Sequence, residues 1–86
     1  MTYVDNGKYK YRRMIMCHMI ADSTCELLLM ARQIGIPLKW IQKPGTAREH
    51  FDICREKRAL AISFGAIEIS QRLMVKLLRE RKVKNE

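Results

Sequence analysis

The chain has 86 residues, a formal net charge of +8 and 48% hydrophobic residues, a composition that excludes wholesale disorder. Because independent cores rarely have fewer than about 50 residues, this length predicts one domain, 1–86, which a homodimer would help to stabilise. The charge favours an anionic ligand, a nucleotide or nucleic acid as the partner, with solubility alone as the plainer explanation.

The three cysteines, Cys17, Cys25 and Cys54, indicate the compartment in which the chain works. Their odd number and the absence of CxxC spacing argue against a disulfide framework and favour a reducing, cytoplasmic location. The N-terminus has no apolar leader, and the sequence has no run of about 18 apolar residues, so neither secretion nor contact with the membrane interior is expected.

The N-terminal quarter of the sequence predicts strands. Residues 2–5 are β-prone and end at the turn signal formed by Asn6 and Gly7. Residues 8–12 alternate basic and aromatic side chains, which predicts either an edge strand or a ribbon that binds phosphates while its tyrosines stack on bases. Met14–Ala21 is an apolar run interrupted by His18, and its length predicts a buried strand.

A helix and a shorter strand are predicted next. Ser23 and Glu26 have the spacing of a capping box, and Gly35 ends the helix that begins there. Residues 38–42 alternate apolar and polar side chains, which predicts a second short strand. The following segment, 43–49, contains a Pro-Gly pair and predicts a loop.

The C-terminal half predicts two more helices. Asp52 caps a helix over about residues 53–64, residues 66–69 predict a strand, and Ser70 begins a last helix that ends in a frayed basic tail, 79–86. The side chains of the last helix predicted to face inward are Leu73, Leu77 and Leu78. The order β-β-α-β-α-β-α predicts an α/β domain, or an α+β one: a small single-layer β-sheet with about three helices packed against it.

Two histidine–aspartate pairs are the candidate catalytic groups. His18 and Asp22 share one face of the predicted strand if it continues that far, although Asp22 also suits a helix cap. His50 and Asp52 precede the next helix, where a carboxylate can fix the tautomer of an imidazole and raise its basicity, as a general base or metal ligand requires. The plainer interpretation is that His18 is a core histidine and that Asp52 only caps the helix that follows it.

Cations and one aromatic side chain are the candidate ligand-binding groups. Arg55, Lys57 and Arg58 lie near the start of the predicted helix, where the dipole disfavours cations and an incoming phosphate would explain them. Trp40 and Gln42 share a face of the predicted strand, where they would stack on a base and hydrogen-bond its edge. The alternatives are a solvated charged face and a core tryptophan.

No metal site and no cofactor are predicted. His50 and Cys54 would face a metal ion together with Cys17 or Cys25 only in an irregular zinc site, so a divalent metal stays a minor alternative. Nucleophile-elbow, P-loop, GxGxxG and HExxH motifs are absent from the sequence. The polar groups are compatible with acid–base hydrolysis, but their spacing does not require it.

Short blocks spread over the chain resemble a known family. In order, they are Tyr3-Val4-Asp5, Cys17-His18-Met19-Ile20-Ala21-Asp22, Trp40-Ile41-Gln42, His50-Phe51-Asp52, Lys57-Arg58-Ala59-Leu60-Ala61 and Gly65-Ala66. Over residues 3–74 this series resembles the small bacterial and phage proteins catalogued as domain of unknown function 4031. The resemblance implies a cytoplasmic protein, in the host cytoplasm where a phage encodes it, and adds Asp5 to the polar positions. Two features depart from the family: Phe51, where a tyrosine is expected, and a longer basic tail.

Three functions follow from these patterns. The leading hypothesis is a domain that binds a phosphate-bearing, nucleotide-like ligand between the two histidine–aspartate pairs and sequesters it. The second is a nucleotide or phosphoester hydrolase that uses one histidine and one aspartate of those pairs, with or without a divalent metal. The third is a nucleic-acid-binding accessory protein that works through the basic ribbon, 8–13, and the basic tail, 76–84.

Overall fold

The computed structural model of the chain describes residues 1–80. Within this range the five strands are β1 (Thr2–Val4), β2 (Tyr9–Tyr11), β3 (Met14–Ala21), β4 (Phe51–Cys54) and β5 (Ile67–Glu68). The helices are α1 (Thr24–Gln33), α2 (Arg55–Ser63) and α3 (Gln71–Glu80), and Leu38–Trp40 forms a 3₁₀ turn. The predicted sheet with three helices is confirmed as a small α+β domain, in which three strands rather than two precede α1.

Two further sequence predictions concern the C-terminal tail and membrane-spanning segments. Of the predicted basic tail, 79–86, Arg79 and Glu80 belong to α3, and the remainder lies outside the described residues. No helix within residues 1–80 is long and apolar enough to cross a membrane.

The long strand β3 is the centre of the sheet. Strands β1 and β2 pair antiparallel with its two ends along one edge, and β4 pairs antiparallel along the other edge. Strand β5 extends the sheet by pairing parallel with β1. The register places Tyr3 opposite Ile20 and His18 opposite Asp52. The middle of β3 therefore lies between the end of β1 and the middle of β4.

The apolar core lies between one face of the sheet and the helices α1 and α2. Cys17 and Met19 of β3 and Phe51 and Ile53 of β4 are each at most 1% exposed, and they alternate along their strands as a half-buried sheet requires. The helical side chains in the same cluster are Leu27, Met30, Ala31 and Ala61. The intervening side chains of β3 and β4, among them His18, point to the opposite face.

The first helix follows its sequence signals. The Ser23 hydroxyl accepts a hydrogen bond from the Glu26 N–H at 3.2 Å, which confirms the predicted N-cap. Beyond the C-cap at Ile34, Gly35 has φ of +81°, a left-handed conformation that glycine adopts without steric cost.

The predicted strand over 38–42 was wrong. Leu38–Trp40 forms a 3₁₀ turn, in which the Trp40 N–H donates to the carbonyl of Pro37 at 3.0 Å. Leu38 and Trp40 are 42% and 58% exposed. Because neither side chain is buried against a neighbouring strand, nothing holds these residues in a sheet. Pairing is limited to an isolated bridge between Gln42 and His50.

The predicted start of the second helix was also wrong. Asp52 lies within β4, and α2 begins at Arg55 after an N-cap at Cys54. A capping side chain contributes about 1 kcal/mol, whereas full burial of a Phe or Ile side chain contributes roughly 1.5–3 kcal/mol. Pairing with β3 buries both Phe51 and Ile53, so the long-range partner outweighs the local cap.

The last helix begins where it was predicted, but its inward face differs. The Ser70 hydroxyl accepts a hydrogen bond from the Leu73 N–H at 3.1 Å. Leu73 is 39% exposed, whereas Met74 is 2% exposed, so the prediction that Leu73 faces inward was wrong. Leu77 and Leu78 are half-buried. The buried stripe therefore runs through Met74, and sequence periodicity alone does not decide which of the neighbouring apolar positions faces inward.

Candidate functional site

Four polar side chains converge on the sheet face opposite α1 and α2. His18 lies in the middle of β3, His50 and Asp52 share one face of the β4 segment, and Asp5 continues β1 beside His18. The sheet brings them together because residues two apart on a strand share a face and the register sets His18 opposite Asp52. We call these four residues the His/Asp cluster.

Asp5 fixes the orientation of the His18 ring. One carboxylate oxygen accepts hydrogen bonds from the backbone N–H groups of His18 and Gly7 at 2.8 and 3.1 Å, and the other lies 2.9 Å from His18 Nδ1. The hydrogen bond with Asp5 raises the pKa of His18. Burial alone would raise the pKa of Asp5, but the hydrogen bonds from His18 and Gly7 outweigh it and lower that pKa. The pair is therefore an oriented imidazole beside a carboxylate that stays ionised.

The opposed shifts predict a pH window for the stability that the pair contributes. The raised pKa of His18 gives a contribution that is complete below its ordinary value of 6.5 and is lost as the pH rises through the folded-state pKa. The lowered pKa of Asp5 gives a contribution that is present above 3.8 and is lost as the pH falls through its folded-state pKa. We expect an NMR titration to place the His18 pKa above 6.5, and Asp5→Asn to lower it. A His18 pKa at or below the ordinary value would contradict the prediction.

His50 and Asp52 complete the cluster. His50 Nδ1 lies 2.8 Å from the carbonyl oxygen of Arg48, which can only accept, so Nδ1 donates and Nε2 of the neutral ring is left as an acceptor. Asp52 Oδ1 lies 3.5 Å from His50 Nε2 and 3.8 Å from His18 Nε2. The Gln42 amide donates to the other oxygen, Oδ2. Both imidazoles thus turn Nε2 towards a single carboxylate oxygen.

That oxygen is buried and accepts no hydrogen bond from the residues the structure describes. The two rings beside it have centroids 5.6 Å apart and are inclined at 64°. Because a buried polar atom without a hydrogen bond is costly, the arrangement fits a site that takes up a further group between Asp52, His18 and His50.

A groove of about 440 Å³ begins at Asp52 and runs along the same face. Its lining residues are Tyr11, Met14, Met16, Trp40, Gln42 and Asp52. Trp40 and Tyr11 are 58% and 54% exposed, and the guanidinium of Arg12 lies 5.6 Å from the centre of the Tyr11 ring. The groove therefore offers two exposed aromatic rings and reaches the His/Asp cluster at Asp52.

The family model that matches the chain is described as Protein of unknown function (DUF4031), and it covers residues 2–81. The chain belongs to the DUF4031 family. This match confirms the resemblance that the short sequence blocks predicted. We found no curated protein and no solved structure that matches the chain.

Several of the residues singled out by sequence are brought together in this DUF4031 domain. His18, His50 and Asp52 belong to the cluster, Gln42 bonds Asp52, and Trp40 lines the groove. The Trp40 side chain reaches the groove from a 3₁₀ turn and not from the predicted strand.

Asp22 has other partners at the far end of β3. Its carboxylate lies 2.9 Å from the amino group of Met1 and accepts a hydrogen bond from the Tyr3 hydroxyl at 3.3 Å. The cap of α1 is Ser23 rather than Asp22. The structure thus places Asp22 beside the N-terminus of the chain.

The three predicted phosphate-binding cations have different surroundings. Arg58 donates to the carbonyl oxygen of Asp5 at 2.7 Å and to Glu68 at 3.0 Å, so it braces the backbone that carries Asp5. The Lys57 ammonium lies near Gly35, just beyond the C-terminus of α1, where the helix dipole favours a cation. Arg55 and Arg58 line a pocket of about 270 Å³ together with Lys8. Arg58 and Lys57 therefore have structural partners that account for their positions.

Phe51 and Cys17 face the core, away from the His/Asp cluster. Phe51, where the family led us to expect a tyrosine, is 0% exposed in the core, so a hydroxyl at this position would point away from the cluster. Cys17 donates to the carbonyl of Gly7 at 3.4 Å, and burial raises the pKa of its thiol. Cys25 is exposed on α1, and Cys54 is half-buried at the end of β4.

Sequence reasoning missed two supporting residues. Asp5 was named through the family resemblance alone, although an aspartate two residues before Gly7 is a known signal for a side chain that caps a turn. Glu49, 1% exposed, accepts hydrogen bonds from Thr24 at 2.6 Å and from the Gly45 N–H at 3.1 Å, which ties the loop before His50 to α1. A buried glutamate in a predicted loop has no local signal that would have revealed it.

Proposed function

We propose that the protein binds a phosphate-bearing, nucleotide-like ligand in the Trp40 groove and hydrolyses its phosphoester at the His/Asp cluster. The observation that carries the proposal is the convergence of His18 Nε2, His50 Nε2 and Asp52 Oδ1 at one end of a groove with exposed aromatic rings. The three thiols are free, which supports a reducing, cytoplasmic setting for this activity, in the host cell where a phage encodes the protein.

The groove supplies the binding part of the proposal. A base would stack on Trp40, with Tyr11 as the second exposed ring of the groove. The ligand's phosphate then lies towards Asp52, because this residue lines the cluster end of the groove. Such a pose brings the phosphorus next to the acceptor atoms of the cluster.

The cluster supplies the chemical part. Hydrolysis needs a water that loses a proton as it attacks phosphorus, while the bond from phosphorus to the leaving oxygen breaks and that oxygen gains a proton. Two imidazole nitrogens and a carboxylate oxygen that lie within reach of one point can orient and activate that water. Asp5 and the Arg48 carbonyl hold the two rings in place, so little reorganisation is needed.

Trp40 gives a direct measure of ligand binding, since it is the single tryptophan of the chain. We expect its fluorescence to change on titration with nucleotides, and we expect Trp40→Ala to weaken binding about tenfold or more, because stacking contributes about 1–3 kcal/mol per base. Phe64→Ala, which removes another exposed aromatic side chain outside the groove, should bind like the wild type.

Three outcomes separate the proposed functions. Release of phosphate or a shortened product from mononucleotides, dinucleotides or p-nitrophenyl phosphate supports hydrolysis. Binding without turnover, under all divalent metals tried, would contradict hydrolysis and leave ligand sequestration. Tighter binding of oligonucleotides than of mononucleotides, with a steep loss of affinity as salt rises, would identify nucleic acid as the partner, which the exposed cations beside β2 also suit.

A further inference from the structure

We propose that His18, His50 and Asp52 bind a divalent transition-metal ion of the zinc type, through both Nε2 atoms and Asp52 Oδ1, with an open coordination position facing the groove. One ligand atom from each of these side chains lies within 4.8 Å of the other two. Within residues 1–80, His18, His50 and Asp52 are the group of three histidine, cysteine or acidic side chains whose ligand atoms lie this close together.

The distances fit a metal more closely than they fit hydrogen bonds. Asp52 Oδ1 is 3.5 and 3.8 Å from the two Nε2 atoms, longer than a hydrogen bond of about 2.7–3.2 Å. Ligands at about 2.0–2.2 Å from a tetrahedral zinc ion lie about 3.4 Å apart. A metal at the common centre would therefore need small movements of the rings, and it would satisfy the buried oxygen that lacks a hydrogen bond.

The hydrogen bonds at Nδ1 of His18 and His50 are of the kind that metal-binding histidines make. His18 Nδ1 is held by the Asp5 carboxylate and His50 Nδ1 by the Arg48 carbonyl, so both rings turn Nε2 towards Asp52. Metal-bound histidines almost always donate the other N–H to a carboxylate or a backbone carbonyl, which fixes the tautomer and strengthens the ligand. Both kinds of outer partner occur here on adjacent ligands, and Gln42 holds the remaining oxygen of Asp52.

The donor set selects the class of metal. Two imidazoles and one carboxylate suit zinc and neighbouring divalent transition metals, whereas magnesium and calcium prefer oxygen ligands. Three protein ligands leave a position for water, as in catalytic rather than structural zinc sites. The cysteine-containing set considered from sequence does not form, because Cys17 faces the core and Cys25 lies on α1.

If the protein hydrolyses a phosphoester as proposed, the metal also removes an electrostatic difficulty of that reaction. The carboxylates of Asp5 and Asp52 repel a phosphate that approaches the cluster from the groove. A divalent cation between Asp52 and the phosphate reverses this repulsion, and it lowers the pKa of a bound water so that the water can attack. The metal site itself follows from the geometry and does not require the hydrolysis.

Calorimetric titration of the chelator-treated, full-length protein with zinc, cobalt and manganese chlorides tests the site. We expect one zinc ion per chain in the wild type, affinity at least about 100-fold lower in Asp52→Asn and His50→Gln, and about 10- to 100-fold lower in Asp5→Asn, which removes an outer partner. Asp22→Asn and Cys25→Ser, matched changes outside the cluster, should bind zinc like the wild type.

A wild-type readout keeps the test independent of how the variants fold. Zinc should shift the ¹⁵N resonance of Nε2, rather than Nδ1, in both His18 and His50. The proposal fails if none of the three metals binds, if zinc leaves both histidines unchanged, or if affinity survives in Asp52→Asn and falls in Cys25→Ser. Zinc binding without turnover would contradict the proposed hydrolysis alone, and turnover that persists in chelator would contradict the metal's role alone.

Discussion

Replacing Asp52 with asparagine is expected to lower the turnover of a phosphoester substrate by about 100-fold or more, because groups that position or activate the attacking water contribute about 10²–10⁴-fold. The asparagine oxygen can keep the hydrogen bond from Gln42, which turns the amide NH₂ towards His18 and His50. The substitution therefore places a donor where the cluster has an acceptor, and it removes one negative charge with little change in size.

Asp22→Asn is the matched control for this prediction. It makes the same chemical change at an exposed carboxylate that bonds the amino group of Met1, so turnover should stay close to that of the wild type. Steady-state kinetics of both variants, together with urea unfolding to show that each is folded, make the comparison. Equal turnover in the two variants would remove Asp52 from the proposed reaction.

Replacing Phe51 with alanine is expected to destabilise the domain by about 3–5 kcal/mol, the usual cost of truncating a fully buried phenylalanine. Phe51 is 0% exposed and belongs to the core between β4 and the helices. Because a domain of this length has about 4–13 kcal/mol of stability in total, the loss is a large fraction of it, and the urea midpoint should fall accordingly. Urea unfolding monitored by circular dichroism measures the loss.

Phe64→Ala controls for the removal of a phenyl ring as such. Phe64 is 51% exposed at the end of α2, so its truncation should cost about 0.5 kcal/mol or less. Similar losses in the two variants would show that Phe51 does not anchor β4 to the core. Such a result would also question how β4 carries His50 and Asp52 to the cluster.

The cations near the start of α2 show how tertiary contacts can satisfy charges that local reasoning leaves unexplained. The helix dipole disfavours cations there, which predicted that Arg55, Lys57 and Arg58 meet an anionic ligand. In the structure Arg58 is held by the Asp5 carbonyl and Glu68, and Lys57 lies beside the end of α1. The compensating negative groups come from elsewhere in the fold, so spacing along α2 does not show them.

Much of the cluster was visible in the sequence as separate pairs. His18 was recognised as a polar break in an apolar strand, and His50 and Asp52 as neighbours that can act together. The leading hypothesis placed one ligand between the two pairs, but the partner of each side chain was not visible, because β3 and β4 are separated by α1 and the following loop. The pairing of His18 with Asp52 depends on the register between these strands, and no local signal fixes that register.

The sequence by itself determined the local elements of this protein: the apolar strand Met14–Ala21, the capped helix after Ser23 and the glycine that ends it. These depend on side-chain periodicity and on turn chemistry, which act over a few residues. Tertiary structure alone decided that residues 51–54 form a strand, and that His18, His50 and Asp52 share one face. The physical reason is that burial of Phe51 and Ile53 against β3 outweighs a local helix cap, and the same pairing sets the cluster's geometry.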